Sequence, residues 1–334
     1  DGDSFHEYGS LVEPLRDTGF NKDLVAPADG VITGSGMIDG RPVSLLSRDY
    51  TVLGGSTGKH GADKANRAVT QATEQGLPFV ALQEGGGHRI QDGQDSRHFS
   101  AASPVFEFLA RNSGWVPTAM AMLGQGFAGP TNWAALADFV VMVRGQATMG
   151  MAGPALVKAG LGQEIDKEAL GGAALQTNRY GISDLAVDTE DEALAAVRRF
   201  LSYLPSNARQ PLPIQENDDP ITRAEEELLE IIPASPRKSY DVRRIIELIS
   251  DQGSVFEKKP SYARNIVTSF ARLNGRPVGF VANQARHLAG MLDVKACEKA
   301  SQFIGLCDAF GLPLVMLIDV PGFAIGSEAE KAGL

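Results

Sequence analysis

Cysteine is scarce in this chain. Its 334 residues include two, Cys297 and Cys307, with no CxxC pair and no Cys/His cluster. That spacing excludes a thiolate metal centre, so no metal is expected, and it fits a reducing, cytosolic compartment. A run of about eighteen apolar residues is also missing, so no membrane-spanning helix and no membrane partner are expected. Basic charge is short: the net charge is −10, which argues against a nucleic-acid partner. An anionic ligand would have to be held by local arginines, lysines and backbone N–H groups. The chain opens Asp1-Gly2-Asp3-Ser4 without an initiator methionine, and this opening does not read as a signal peptide. The expected location is the cytoplasm of a bacterium, or an organelle matrix in a eukaryote.

What the chain does have is a duplication. Gly40-Arg41-Pro42-Val43 recurs as Gly275-Arg276-Pro277-Val278, and Lys64-Ala65 as Lys299-Ala300. Gly76-Leu77-Pro78 recurs as Gly311-Leu312-Pro313, and Gly87 as Gly322, all at one offset of 235 residues. The register holds without a gap from residue 40 to residue 90. This is a repeated domain, not a short-period solenoid. Between the copies, "LPSNARQPLPIQENDDP" (204–220) is rich in Pro, Asn and acid and reads as a linker. The expected organisation is a first domain over 1–210, a linker over 211–238, and a second domain from 239 to 334. The second copy stops soon after its glycine turn and is expected to be incomplete.

Within a copy, strand and helix signals alternate. "RPVSLLSRDYTV" predicts a strand, and "KHGADKANRAVTQATEQ" a helix ending at Gly76. "LPFVALQ" is a near-continuous apolar run, typical of a strand covered on both faces. "AASPVFEFLARNSG" predicts a helix, "VPTAMAML" a strand, "TNWAALA" a helix, "DFVVMVR" a strand and "DEALAAVRRFLSYL" a closing helix. "ITRAEEELLEIIP" predicts a short acidic helix, and "SYDVRRIIELISD" an amphipathic one. The class is α/β with largely parallel strands. Ligands in such sheets bind beyond the carboxyl ends of the strands, and the glycine runs fall there.

Gly85-Gly86-Gly87 follows one strand, and Gly124, Gly126 and Gly129 follow the next. A single glycine is most simply a tight turn. Three in a row leave backbone N–H groups uncovered, and two N–H groups aimed at one point make an oxyanion hole. "GQGFAG" (124–129) also matches the dinucleotide pattern GxGxxG. The expected downstream acid is missing, and Pro130 removes an N–H where a phosphate would sit, which disfavours nicotinamide binding. Amides of Ala128 and Gly129 at a helix start are the alternative second half of the hole. His88 is a candidate base without a fixed partner. Arg89 either binds a phosphate or pairs with Glu84 or Asp92. His60 and His98 have no helpful spacing, and Trp115 and Trp133 read as packing anchors. The sequence therefore offers backbone donors and no evident side-chain acid or base.

The chain resembles the carboxyltransferase subunits and domains of biotin-dependent acyl-CoA carboxylases. The resemblance rests on "RDYTVLGGSTG" (48–58), "EGGGHRIQDG" (84–93), "LGGAALQTNRYGISDLAVDTEDEAL" (170–194), "FLSYLPSN" (200–207), "YDVRRIIELISDQGSVFE" (240–257), "NIVTSFARLNGRPVGFVANQ" (265–284) and "KASQFIGLCDAFGLPLVMLIDVPGF" (299–323). It implies two crotonase-type ββα-spiral domains. The first would hold acyl-CoA and the second the biotin of a carrier protein or domain. The implied partners are a biotinylated carrier and a biotin carboxylase, within a homo- or hetero-hexamer built as a trimer of dimers. Biotin N1 would take the α-proton, so no protein base is needed. The family turn SGGAR falls on Gly85 to Arg89. This carries the oxyanion role to Gly86 and Gly87 and substrate contact to Gly85, His88 and Arg89. The family's AGGA helix start falls on Phe127 to Pro130, departing from it at Ala128 and Pro130. The nearest biotin-side positions are Gly322 and Phe323. "EGGG" and "GSEAEK" (326–331) are closer to long-chain or single-polypeptide carboxylases.

Three other readings share parts of this pattern. A biotin-dependent acyl-CoA decarboxylase would carry every motif. A non-catalytic scaffold of a carboxylase complex would explain Pro130 but not the intact Gly86 and Gly87. A hydratase or isomerase would need a placed carboxylate and no second copy.

Overall fold

Each half of the chain starts its sheet with a hairpin turned at the repeated Gly-Arg-Pro. The computed structural model describes residues 1–16, 22–93, 104–235 and 237–334. His98, and Ala101 to Ser103 at the expected start of a helix, lie outside the described residues. In the first unit, Val31–Ile38 (β2) and Arg41–Arg48 (β3) pair antiparallel. His6–Tyr8 (β1) adds to the outer edge of β2. From β3 the sheet turns parallel through Phe79–Gly85 (β4), Thr118–Phe127 (β5), Phe139–Val143 (β6) and Leu185–Val187 (β8). Thr148–Gly150 (β7) pairs with the far end of β5.

The parallel strands are apolar throughout because both faces are covered. Phe79, Val80, Ala81, Met120, Met122 and the whole of β6 are buried. The alanine-rich helix Lys59–Gln75 (α1) lies against β2 and β3 with Ala65, Ala68, Val69 and Ala72 inward. Small side chains let the helix approach closely. Pro104–Asn112 (α2) packs beside it through Val105 and Leu109. Gly129–Ala134 (α3) and Glu190–Tyr203 (α4) complete the elements that frame the site.

Backbone proximity divides the chain into Asp1–Leu201 and Ser202–Leu334, so residues 202 to 210 group with the second unit. The cause is local. Arg272 donates to the carbonyls of Ser202 (2.7 Å) and Pro213 (3.0 Å), and Tyr203 stacks on Phe270. The segment expected as a linker is tied to this unit too, through Gln215 N–H to the Gly275 carbonyl (3.0 Å). The expected acidic helix is reduced to one 3-10 turn at Glu226–Leu229. It buries no residue, and three consecutive glutamates repel, so nothing offsets the cost of helix nucleation. Val242–Ile249 (α5) does form, capped by the Asp241 carboxylate on the Arg243 N–H, with Val242, Ile246 and Leu248 buried.

The second sheet runs Leu314–Leu317 (β12), Arg276–Asn283 (β11), Ile266–Leu273 (β10) and Phe256–Lys258 (β9). β10 and β11 repeat β2 and β3 residue for residue, and Val294–Ala309 (α6) repeats α1. Even buried side chains recur. The Lys64 ammonium donates to the carbonyls of Ala28 and Val31, and the Lys299 ammonium to those of Lys259, Tyr262 and Ile266 at 2.8 to 2.9 Å. Lys299 is 1% exposed. Replacing it with methionine leaves the Lys259 carbonyl to the Tyr262 N–H and takes the ammonium from the Tyr262 and Ile266 carbonyls, at roughly 1 to 3 kcal/mol for each of these two. Lys299→Met is therefore expected to lose at least about 2 kcal/mol of stability in denaturant unfolding. A midpoint unchanged from wild type would contradict this role.

Candidate oxyanion site and its support

The site grows from one close approach. Gly55 and Gly85 both have positive φ, +64° and +112°, and each stands where a Cβ cannot. A Cβ on Gly55 would lie 2.7 Å from the Glu84 carbonyl oxygen, and one on Gly85 would lie 2.5 Å from Gly55 Cα. The turn after β4 thus rests on the loop after β3, backbone against backbone. Thr57 N–H then donates to the Gly87 carbonyl (2.9 Å), and Arg89 N–H to the Thr57 carbonyl (2.8 Å). The second unit repeats this stitch: Leu292 N–H to the Gly322 carbonyl (3.1 Å), and Ala324 N–H to the Leu292 carbonyl (2.7 Å).

Arg89 is not placed to meet a substrate phosphate. It is 1% exposed and ion-paired with Asp29, itself fully buried, while Asp92 lies 3.9 Å away. Asp29 is a partner that the sequence did not suggest. The two carboxylates also cap α1, Asp29 on the Gly61 N–H (2.6 Å) and Asp92 on the Lys59 N–H (2.8 Å). Gly58 makes room for them, since a Cβ there would run into both Arg89 and Asp29. Arg89 thereby ties the glycine turn to the start of α1. His88 is half-buried, and its backbone bridges to Thr57.

The four expected oxyanion donors divide in two. Gly86 N–H is committed to the Gly54 carbonyl (3.1 Å), and Ala128 N–H to the Gly150 carbonyl (2.8 Å). These two are corrected: their amides serve the turn and the β5–β7 ladder. Gly87 and Gly129 remain, and among the described residues neither amide has an acceptor within the chain. The two residues lie on adjacent turns. A Cβ on Gly87 would sit 3.0 Å from Ala128 Cβ and 3.8 Å from Gly129 N. A Cβ on Gly86 or Gly129 would meet nothing within 4 Å, so the space above them is open. Gly124 and Gly126 do not form a ligand loop, because β5 runs on through Phe127. Gly124 instead gives space to Glu84, whose Oε2 would lie 2.8 Å from a Cβ there.

Ala128 carries strain at this point. Its φ of 62° and ψ of −115° belong to a region suited to glycine. Trp133, on the same short helix, is buried, and the Arg48 guanidinium lies 5.0 Å from its ring centroid. Arg48 also bonds Thr57 Oγ1 and approaches the Gly55 carbonyl (3.4 Å). Burial brings its guanidinium down to about 10. The Glu84 carboxyl is pushed up, first by burial and further by Glu190 and Asp49, against the opposing Tyr50 N–H. Among the described residues no cluster of His, Cys, Asp and Glu is placed to hold a metal, and no helix is long and apolar enough to cross a membrane.

The profile of the carboxyl transferase domain matches residues 1–334. The chain belongs to the carboxyl transferase domain family. It is 41% identical over 309 residues to the propionyl-CoA carboxylase carboxyltransferase subunit of Haloferax mediterranei, covering 92% of this chain and 59% of that one. It is 38% identical over 308 residues to methylmalonyl-CoA decarboxylase subunit alpha of Veillonella parvula, with 92% and 60% covered. The crystal structure of transcarboxylase 12S, described as a hexamer with hydrolysed methylmalonyl-coenzyme A bound, superposes with a TM-score of 0.93 at 38% identity. It covers all of this chain and 64% of that one. The chain thus spans about three-fifths of the length of these carboxyl transferase relatives. The expected fold class, α/β with duplicated crotonase-like units, agrees with this neighbour.

Two predictions follow from the local chemistry of this carboxyl transferase unit. Ala128→Gly should stabilise the fold by about 1 kcal/mol by removing the backbone strain; a loss of stability would show that the alanine methyl matters more. A raised folded-state pKa means that Glu84 costs stability while ionised, and that cost fades as pH falls toward the ordinary glutamate value of 4.5. Glu84→Gln should therefore raise Tm at neutral pH and lose the advantage near pH 4.5. An advantage independent of pH would mean the gain is not electrostatic.

Proposed function

We propose that this chain is the carboxyltransferase part of a biotin-dependent acyl-CoA carboxylase, acting at the α-carbon of an acyl-CoA. The observation that carries the reading is the pair of amides at Gly87 and Gly129, close together at the carboxyl ends of β4 and β5 and both without an acceptor among the described residues. Deprotonating a thioester at its α-carbon moves negative charge onto the carbonyl oxygen. Two fixed N–H donors stabilise that charge more than they stabilise the neutral thioester, and each is worth about 10² to 10³ in rate. Gly86 keeps the approach clear, Gly85 lets the turn rest on Gly55, Asp29 and Arg89 hold the turn, and Pro130 removes a donor without touching Gly129.

Biotin on a carrier protein or domain, when bound, supplies the carboxyl group and the ureido nitrogen that receives the α-proton. The second unit has features that fit such a group. Gly322 opens onto free space, and Phe323 is 62% exposed beside it, offering an apolar face to the bicyclic ring. A biotinylated carrier, a biotin carboxylase and a hexameric assembly are the partners this reading calls for. A second reading, decarboxylation of a malonyl-type CoA thioester, is favoured by the Veillonella relative. It would use the same amides in the reverse direction.

The test is transfer of labelled carboxylate from carboxybiotin to a panel of acyl-CoAs by the complete protein with its carrier. Transfer to one or a few is expected, and Gly87→Val should lower kcat at least a hundredfold while the fold is kept. Full activity in that variant would falsify the amide assignment. Release of carboxylate from a malonyl-type thioester without forward transfer would favour the second reading.

A further inference from the structure

Arg48 is a buried cation that the reaction described so far does not use. It is 5% exposed, and among the described residues no carboxylate stands within 4.0 Å of it. Its Nε has no hydrogen-bond partner. Among the described residues its polar and ring partners are Thr57 Oγ1, the Gly55 carbonyl and the face of Trp133. Burying a guanidinium without a counter-ion is unfavourable, and one cation–π contact offsets only part of that cost. A side chain that breaks a packing rule without local compensation invites a functional reason.

The duplicated unit supplies an internal control. The position 235 residues on is Asn283, which donates from Nδ2 to the Gly290 carbonyl at 3.0 Å. Gly290 is the counterpart of Gly55, and its missing Cβ likewise faces the backbone carbonyl after a strand, that of Asp319 at 2.9 Å. A neutral amide therefore suffices to hold this loop carbonyl. The positive charge is an addition confined to the first unit, where it lies two hydrogen bonds from the Gly87 turn, by way of Thr57. Trp133, which faces the guanidinium, follows Gly129 by four residues on α3.

We infer that Arg48 is a positioning residue that sets a fixed positive field at the Gly87–Gly129 amide pair, favouring the oxyanion form of a bound acyl thioester. Arg48 does not touch the thioester. Its charge acts through a water-poor interior, where fields are screened far less than in solvent. Asn283, at the matching position of the other unit, adds no such field. The inference rests on the acyl-CoA reading of the first unit.

The test uses the complete protein and propionyl-CoA labelled with carbon-13 at the thioester carbonyl. Infrared difference spectra should show the carbonyl band moving to lower frequency on binding to wild type. Arg48→Lys should keep most of that shift, because it keeps the charge. Arg48→Gln should lose most of it, with kcat lowered about tenfold and KM within about twofold. Its Tm should match or exceed that of wild type, since an unpaired buried charge is removed. Arg48→Met serves as a second neutral variant if Arg48→Gln does not fold. A wild-type band shift and kcat in a folded neutral variant would overturn the inference. So would an equal loss in Arg48→Lys, which would reduce Arg48 to a packing role. Failure of wild type to bind propionyl-CoA or any other acyl-CoA would instead sink the functional reading beneath it.

Discussion

Backbone meets backbone between Gly55 and Gly85, and the candidate site is assembled around that contact. With no side chain on either residue, the loop after β3 lies directly on the turn after β4. Only then can Thr57 reach the Gly87 carbonyl, and only then does Arg89 fall into the space that Gly58 leaves beside Asp29. A methyl group at either glycine would meet the opposite backbone at 2.5 to 2.7 Å, so the two segments would have to move apart. The Gly87 turn, stitched to Thr57, would shift with them although Gly87 itself had not changed.

The two units solve one folding problem in the same way and then diverge in charge. Hairpin, helix, buried lysine and stitched glycine turn recur at one offset. The positions around the turn do not. Arg48 becomes Asn283, Thr57 becomes Leu292, and His88 becomes Phe323. The first unit is polar and cationic around its turn. The second exposes Phe323, with Ile318 and Ile325 close by in sequence. Duplication preserved the frame, whereas the chemistry at its rim was free to change.

Much of the frame was legible because it depends on patterns that chains report locally. The apolar run at Phe79 to Leu82, the alanine spacing of α1 and the repeat register each gave the right element. The acidic segment around Glu226 misled, because its composition favours a helix while it has no apolar face to bury. The uncovered amides were half legible. Three consecutive glycines advertise uncovered amides, but which amide stays uncovered depends on Gly54 and Gly150, carbonyls distant in sequence. Asp29 and Arg48 were missed for the same reason. "PADG" looks like an ordinary turn, and a single arginine ending a strand looks like a surface residue, until the fold buries them.

Lys299 has a use outside the site. All three hydrogens of its ammonium group are committed to the carbonyls of Lys259, Tyr262 and Ile266. An amine held this way has no lone pair to offer an acylating reagent. It becomes nucleophilic only when the segment from 259 to 266 lifts away and the proton can leave. The same side chain that closes this loop is therefore its natural clock, since with a reagent that reacts faster than the loop recloses, the rate of labelling is the rate of opening.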